Sequence, residues 1–277
     1  MPPTVGAALA RAAQTLAQAS PSARLDAELL VMHACGLSRS ELLTRDSQIL
    51  TAEQVTGLDE LLTRRQQGEP IAYLAGRREF WSLDLAVSPA TLIPRPETEL
   101  LVERALARIP PDAAWSIADL GTGSGAIALA LAKERPRCRV IATDNSPAAL
   151  AVARANAVRL DLAVDYRLGD WLAPLAGETF DVLVSNPPYV ASGDLHLAGL
   201  RYEPDTALVA GPDGLDTIRA IVASARAALK PGGWLLLEHG YDQGAAVGVL
   251  LRQHGYDEVR CYPDLAGHDR VSEGVLV

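Results

Sequence analysis

The strongest constraint on the fold is an alternation of short apolar runs with helical stretches, which begins after Pro111. Five of these runs have the length of strands and end in polar residues, at 115–120, 139–144, 164–170, 180–186 and 233–240. Strands that alternate with helices in this way predict βαβ units and a mostly parallel sheet covered on both faces. Two more apolar runs, 257–265 and 270–277, have no long helix between them, so they predict an antiparallel pair at the end of the sheet.

The chain divides into three predicted parts. Residues 1–78 show helical periodicity only and predict a small all-helical domain. Residues 79–95 alternate apolar and polar side chains around turn signals, which predicts a β-hairpin linker. Residues 96–277 form the α/β domain. Because the helical domain carries no obvious chemistry, we interpret it as a folding or substrate-docking module.

Helix starts in residues 1–78 follow from capping patterns. A Ser or Thr followed three residues later by Glu or Gln is a capping box. The pairs are Ser38 with Glu41 and Thr51 with Gln54. Ser20 followed by Pro21 predicts a further start, with Ser20 as the N-cap and Pro21 at the first helical position.

Composition limits the class of protein. The 277 residues include 25 basic and 34 acidic side chains, a formal charge of −9, which argues against a broad nucleic-acid-binding surface. No apolar run approaches the roughly 20 residues that a bilayer span requires. Three scattered cysteines, Cys35, Cys138 and Cys261, lack metal-ligand or disulfide spacing and are typical of a reducing compartment. We expect a soluble, cytoplasmic enzyme.

A glycine-rich loop joins the first predicted strand of the α/β domain to a helix. Gly121, Gly123 and Gly125 let the main chain turn sharply and approach a ligand closely, beside a helix N-terminus that favours negative charge. With Ala126 as the last position, the loop also fits the pattern of nicotinamide-dinucleotide sites. This signal alone leaves the ligand open.

Acidic residues end the next two predicted strands. Asp144 lies 23 residues after Gly121, near the spacing of about 20 at which a carboxylate meets ribose hydroxyls. Ser146 already provides an N-cap for the helix that follows, so we favour the ribose role for Asp144. Asp170 and Trp171 end the third strand at the same edge, where the ring can stack on a purine or simply cover the sheet.

The sequence SNPPYV at 185–190 ends the fourth predicted strand with two consecutive prolines. Pro187 and Pro188 remove two backbone N–H donors and hold the segment extended, so strand pairing must stop. What remains is the Asn186 amide, bare carbonyl groups and the Tyr189 ring. The carbonyl oxygens of Asn186 and Pro187 can accept both protons of a planar NH₂ group, while Tyr189 holds that group flat. This localises the nitrogen lone pair toward an electrophile such as a methyl carbon on sulfonium.

These motifs together resemble S-adenosylmethionine-dependent amino-methyltransferases, whose NH₂-acceptor motif is N-P-P-Y. Further stretches are similar to the peptide chain release factor N5-glutamine methyltransferase family over nearly the whole chain. They are REFWSLDLAVSPATLIPRPETELLVE at 78–103, ALVAGPDGL at 207–215 and LLLEHG at 235–240. The resemblance implies a Rossmann-like seven-stranded methyltransferase domain preceded by a helical domain and a hairpin. It also implies methylation of the glutamine side-chain amide in the GGQ motif of class I bacterial release factors.

The resemblance implies roles for individual residues. The methyl donor S-adenosylmethionine is expected at Gly121, Thr122, Gly123, Ser124, Gly125, Asp144, Trp171 and Asn186. The substrate glutamine is expected at Asn186, Pro187, Pro188 and Tyr189, with Asn186, Pro187 and Tyr189 as the catalytic set. Trp171 stands where members often carry an aliphatic residue. Arg95, Glu97 and Thr98 match a family signature near the pocket, without individual roles.

Other interpretations remain open at this point. The same acceptor motif suits adenine or guanine amino groups of DNA or ribosomal RNA, although the acidic composition counts against this substrate. A non-enzymatic nucleotide-binding module leaves the NPPY motif unexplained, and a dehydrogenase leaves the two prolines unexplained. The five histidines lack metal-ligand spacing, so no metal is expected. Glu238 and His239, which end the fifth strand, are assigned to packing and solvent pairing.

Overall fold

The structure is a computed structural model that describes residues 2–277. It contains two compact units, one ending at Arg77 and the other spanning Arg78–Val277. In the described residues, no helix has both the length and the apolar character needed to cross a membrane.

The first unit is a bundle of five helices. They are α1 (Val5–Leu16), α2 (Ala23–Cys35), α3 (Arg39–Thr44), α4 (Ala52–Gln66) and α5 (Ile71–Ala75). The capping boxes predicted at Ser38 and Thr51 are confirmed, since each hydroxyl accepts from the backbone N–H three residues on and that residue's side chain accepts in return. Buried aliphatic side chains from α1, α2 and α4 form its core.

The prediction that Ser20 caps α2 is wrong. The helix begins at Ala23, and Ser22 at the N-cap makes no side-chain capping bond. Both serine hydroxyls instead donate to the buried Asp26 carboxylate, at 2.8 Å from Ser20 and 3.0 Å from Ser22. Arg65 Nε also donates to Asp26 at 2.8 Å. This network ties α2 to α4, and a buried carboxylate requires such partners.

A short hairpin opens the second unit. Strands β1 (Arg77–Phe80) and β2 (Leu83–Ala86) are joined by Trp81 and Ser82, which both have positive φ, near +52° and +53°. Two consecutive positive φ angles are what a two-residue hairpin turn needs to match the strand twist. Asn156 accepts from the Ala86 N–H at 2.7 Å and donates to its carbonyl at 3.0 Å, which fixes the end of the hairpin.

The α/β part contains the predicted seven-stranded, mostly parallel sheet. Its strands are β3 (Ser116–Leu120), β4 (Arg139–Asp144), β5 (Asp165–Leu168), β6 (Phe180–Ser185), β7 (Leu229–Glu238), β8 (Tyr256–Pro263) and β9 (Asp269–Leu276). The strand order is β5-β4-β3-β6-β7-β9-β8. Among the described strands of this sheet, only β9 runs opposite to the other six, and β8 and β9 form the predicted antiparallel pair.

Helices cover both faces of the sheet. They are α6 (Glu99–Arg108), α7 (Ala126–Glu134), α8 (Pro147–Leu160), α9 (Asp216–Ala228) and α10 (Gly244–Gln253). Side chains of α6, α7 and α8 share one buried cluster with the sheet, and those of α9 and α10 share the other. The central strands are therefore buried on both sides, as parallel strands in α/β proteins are.

Strand register determines which residues meet at the carboxyl edge of the sheet. Leu120 of β3 pairs with Thr143 of β4, and Ser185 of β6 pairs with Leu237 of β7. The chain proceeds from β3 outward to β5 and then returns to β6 on the other side of β3. This reversal is a topological switch point, the usual ligand site of open α/β sheets.

The buried network of α2 gives a stability prediction. Asp26→Ala removes the partner of Arg65, whose side chain is 16% exposed, and is expected to lower the local free energy of unfolding by about 3 kcal/mol. Amide hydrogen exchange of α2 and α4 measures this loss. The matched control is Asp59→Ala, since the Asp59–Arg11 pair is about half exposed and is expected to contribute less than about 1 kcal/mol. Equal losses in the two variants would contradict the account.

Candidate active site

A cleft opens at the switch point between β3 and β6. It encloses about 930 Å³ including its open mouth. Of the residues predicted from the sequence, its walls contain Gly121, Thr122, Gly123, Ser124, Asp144, Trp171, Asn186 and Pro188, together with Arg95 and Thr98. Gly125, Pro187, Tyr189 and Glu97 do not contribute to the walls.

The glycine loop after β3 has a backbone conformation that residues with side chains rarely adopt. Gly121 has φ +75°, and a Cβ there would lie 2.8 Å from the Trp171 ring. The N–H groups of Gly121 and Thr122 both donate to the Thr143 carbonyl at 2.9 Å. The Gly123 N–H donates to Asp144 Oδ2 at 2.9 Å. These three donors are therefore satisfied within the protein and are not free to hold a pyrophosphate.

Asp144 lies at the end of β4 with its carboxylate on the cleft wall. One oxygen accepts from Gly123, and Oδ1 accepts from the Ser146 N–H at 2.9 Å. Ser146 caps α8, as predicted, by accepting from the Ala149 N–H. Each Asp144 oxygen retains further acceptor capacity, since a carboxylate oxygen has two lone pairs. The pair can therefore accept from two neighbouring hydroxyl groups.

Trp171 lines the same cleft as Asp144. It has φ +46°, uncommon for a bulky residue, and its carbonyl accepts from Thr143 Oγ1 at 2.8 Å. Its ring packs against Gly121, so it leaves no room for a side chain at position 121. The neighbouring Asp170 accepts from the Asn145 amide at 2.8 Å.

Asp119 supports the glycine loop from below and was not singled out from the sequence. Its Oδ2 accepts from Thr122 Oγ1 at 2.6 Å and from the Ala128 N–H at 3.2 Å, which joins the loop to α7. The side chain is fully buried, and this desolvation raises the pKa of Asp119 to about 7. Its position directly before the glycine motif, inside a buried strand, was the available signal.

Asn186 follows β6 and lines the same cleft as the glycine loop. Its amide nitrogen donates to Thr98 Oγ1 at 3.1 Å. Within residues 2–277, no group donates to the carbonyl oxygen of Asn186 or of Pro187. Both prolines are buried, so the segment is held in place while these acceptors keep free capacity.

Tyr189 has a partner that was assigned from the sequence to packing and solvent pairing. Tyr189 Oη donates to Glu238 Oε1 at 3.3 Å, and within the described residues Glu238 Oε2 has no hydrogen-bond partner. Glu238 is 1% exposed, so its assignment to solvent pairing is wrong. Burial raises the pKa of Glu238 to about 7 and also raises the pKa of Tyr189. His239 is also buried and contacts Ser272 Oγ at 2.9 Å.

The side chains that line the cleft carry little net charge, and that charge is negative. Its ionisable lining residues are Arg95, Asp144 and Asp170. Arg95 forms an ion pair with the buried Glu203, which also accepts from the Ile93 N–H at 3.0 Å, so its charge is compensated. A cationic or neutral ligand is therefore favoured over a polyphosphate. The walls offer no His, Cys or Lys as a base, and residues 2–277 contain no group of three or more His, Cys, Asp or Glu placed to hold a metal.

Comparison with solved structures identifies the fold. A methyltransferase from Pyrococcus furiosus matches with a TM-score of 0.55 at 21% identity, over 78% of this chain and 98% of that one. The Thermus thermophilus 16S rRNA N2 G1207 methyltransferase matches with a TM-score of 0.55 at 20% identity, over 73% and 50% of the two chains. At these identities the likeness extends to the fold, that of Rossmann-like methyltransferases.

Comparison with known sequences finds relatives of much higher identity than these solved structures. Residues 7–76 match the model of the PrmC N-terminal domain, and residues 96–200 match the methyltransferase small domain. The release factor glutamine methyltransferase of Escherichia coli K12 is 51% identical over 260 residues, 93% of this chain and 94% of its own. That of Pseudomonas aeruginosa is 52% identical over 258 residues, 92% and 93% of the two chains. The chain belongs to the release factor glutamine methyltransferase family.

Proposed function

We propose that this protein transfers a methyl group from S-adenosylmethionine to the side-chain amide nitrogen of a glutamine in a peptide chain release factor. The observation that carries the proposal is the position of the Asn186 amide at the switch point. There its carbonyl oxygen, free of protein donors, lies in the same cleft as the glycine loop and Asp144. Membership of the family supplies the identity of the substrate.

The residues present fit this methyl donor. Space is open around Gly123, where a Cβ would meet nothing within 4 Å, and the N–H groups of Gly121, Thr122 and Gly123 already have acceptors within the protein, which suits a ligand without phosphates. Asp144 accepts from the ribose hydroxyls, and Trp171 forms a flat wall for the purine. Thr122, Ser124 and Gly125 complete the donor-binding loop, with Gly125 acting through packing against Leu129 and Tyr166. When bound, S-adenosylmethionine supplies an electrophilic methyl carbon on a sulfonium.

The acceptor side of the site makes a poor nucleophile reactive. An amide nitrogen is weak because its lone pair is delocalised into the carbonyl group. Asn186 Oδ1 and the Pro187 main-chain oxygen accept its two protons, and Pro188 and Tyr189 hold the amide plane. The same oxygens stabilise the positive charge that develops on nitrogen as the carbon–sulfur bond breaks, and the methylated nitrogen then releases one of its protons to water. Catalysis is therefore positioning and preorganised electrostatics without a strong base in the cleft.

The finer features of the partner are part of the proposal. The substrates are class I bacterial release factors, modified at the glutamine of their GGQ motif, and the helical unit docks them. A net charge of −9 supports a protein substrate without direct nucleic-acid binding. The cysteines Cys35, Cys138 and Cys261 are all unpaired, which supports a cytoplasmic location.

Removal of the Asn186 acceptor tests the catalytic set. Asn186→Ala is expected to lower kcat by about 100- to 1,000-fold, because one preorganised hydrogen-bonding group is lost. Steady-state kinetics at saturating donor measure the effect. Asn145→Ala, at the rim of the same cleft, is the control and is expected to keep kcat within about 3-fold, since no acceptor for the substrate is lost. A near-normal kcat for Asn186→Ala would remove Asn186 from the mechanism.

Removal of the Asp144 carboxylate tests the ribose contact. Asp144→Ala is expected to weaken donor binding by about 10- to 100-fold, the value of hydrogen bonds to a charged group. Calorimetric titration with S-adenosylmethionine and with its 2′-deoxy analogue makes the test specific. The analogue is expected to bind worse than the natural donor only while Asp144 is present. A penalty for the analogue that persists in Asp144→Ala would place the ribose elsewhere.

The substrate itself is tested by methyl labelling. Incubation with radiolabelled donor and a purified class I release factor is expected to label the wild-type factor and to leave unlabelled a factor whose GGQ glutamine is replaced by alanine. Total cell RNA and DNA in the same assay serve as competing acceptors. Label that persists on the glutamine-free factor, or that enters nucleic acid, would overturn the proposed acceptor.

A further inference from the structure

Two walls of the cleft come from segments that lie far apart in the chain. The first wall is formed by residues within 90–98, which connect the hairpin to α6, and the second wall by residues within 204–207. The first wall contacts the acceptor motif directly, since Thr98 Oγ1 accepts from the Asn186 amide at 3.1 Å.

The second wall belongs to an excursion of the chain that leaves the acceptor motif and returns beside it. Val190, which follows the motif, donates its N–H to the Leu208 carbonyl at 2.8 Å, and its own carbonyl accepts from the Ala210 N–H at 2.9 Å. Residues 191–207 lie between these contacts and are all described by the structure. Among them Glu203 is the one buried residue, so the excursion is anchored by a charged side chain instead of an apolar core.

The Glu203 carboxylate joins the two walls. Its side chain is 3% exposed, and it directly precedes Pro204 of the second wall. Its Oε1 accepts from the Arg95 guanidinium, and its Oε2 accepts from the Ile93 N–H at 3.0 Å, across 110 residues of sequence. Both donors belong to the first wall. Glu203 does not itself line the cleft, so it acts on the cleft through these neighbours.

A buried ion pair at this place is informative because it is seldom the best way to stabilise a fold. Apolar side chains of similar volume often stabilise a protein at least as well. Hydrogen bonds to a carboxylate add direction, since each oxygen accepts from a donor in a defined position, whereas apolar contacts are non-directional. The Glu203 contacts therefore define the distance between the two walls.

We propose that Glu203 is a positioning residue for methyl transfer, whose carboxylate fixes the two walls on either side of the acceptor glutamine. The inference rests on the proposed function and deepens it. The residues assigned to the methyl donor, the glycine loop, Asp144 and Trp171, follow β3, β4 and β5 and belong to neither wall. Release of the Glu203 contacts is therefore expected to misplace the acceptor and to spare donor binding. A displacement of about 1 Å costs roughly 100-fold in rate.

The experiment replaces Glu203 and measures acceptor and donor separately. Glu203→Gln keeps the size of the side chain and one acceptor oxygen but no longer compensates the Arg95 charge. We expect kcat/KM for a class I release factor to fall by about 10- to 100-fold. The calorimetric Kd for S-adenosylmethionine is expected to stay within about 2-fold. Amide hydrogen exchange is expected to accelerate at Ile93 and over residues 204–209, because the contacts between the walls are weakened.

A second buried glutamate provides a matched control. Glu273 is 1% exposed, pairs with Arg108 and accepts from the Tyr262 hydroxyl at 2.7 Å, and these residues do not line the cleft. Glu273→Gln is expected to lower the melting temperature as Glu203→Gln does, and to keep kcat/KM within about 2-fold. If Glu203 acted only on stability, the two variants would have the same kinetics.

Arg95→Met keeps the inference testable if Glu203→Gln does not fold, since it breaks the same contact from the more exposed side. The losses in kcat/KM from the two substitutions are expected to be non-additive in the double variant. An unchanged kcat/KM in Glu203→Gln, an equal loss in Glu273→Gln, donor affinity that falls with kcat/KM, or additive losses would overturn the inference. Each of these results leaves the methyltransferase function intact, whereas absence of label on the glutamine with the wild type would overturn both.

Discussion

Parallel pairing of the central strands is the constraint on which the site depends. Because β3, β4, β5 and β6 run in one direction, their carboxyl ends lie at one edge of the sheet, and each strand delivers its next residue there. The glycine loop, Asp144, Trp171 and Asn186 come from four separate strand ends. Reversal of strand order between β3 and β6 opens the cleft that they share. One register shift would move these groups to the wrong face of the sheet.

The hydrogen-bond partners of the loop and of Asn186 then distinguish this cleft from other sites with similar glycine motifs. The N–H groups of Gly121, Thr122, Gly123 and Gly125 are occupied by Thr143, Asp144 and Thr122, so these four donors are not free to bind the phosphates of a dinucleotide. At Asn186 the opposite holds, since a main-chain and a side-chain oxygen retain free capacity beside two residues that lack N–H groups. The site provides acceptors where an NH₂ group must be held.

Much of this architecture was predictable because it depends on local patterns. The alternation of strands and helices, the glycine loop and the position of Asn186 at a strand end follow from residues close together in sequence. The supporting contacts do not. Thr98 reaches Asn186 across 88 residues, and Tyr189 reaches Glu238 across 49. Glu238 was mistaken for a solvent-paired residue because sequence gives no measure of burial at a strand end. Ser20 was mistaken for a helix cap because its hydroxyl is used by Asp26, a competition visible only in three dimensions.

The central claim concerns two neutral oxygens that hold a flattened amide, and a crystal structure tests it directly. The complex to solve contains S-adenosylhomocysteine and a peptide with the glutamine substrate. The account predicts that Asn186 Oδ1 and the Pro187 carbonyl oxygen both lie about 2.7–3.2 Å from the glutamine amide nitrogen. A glutamine held by other groups, or an Asn186 oxygen rotated away from the cleft, would contradict it.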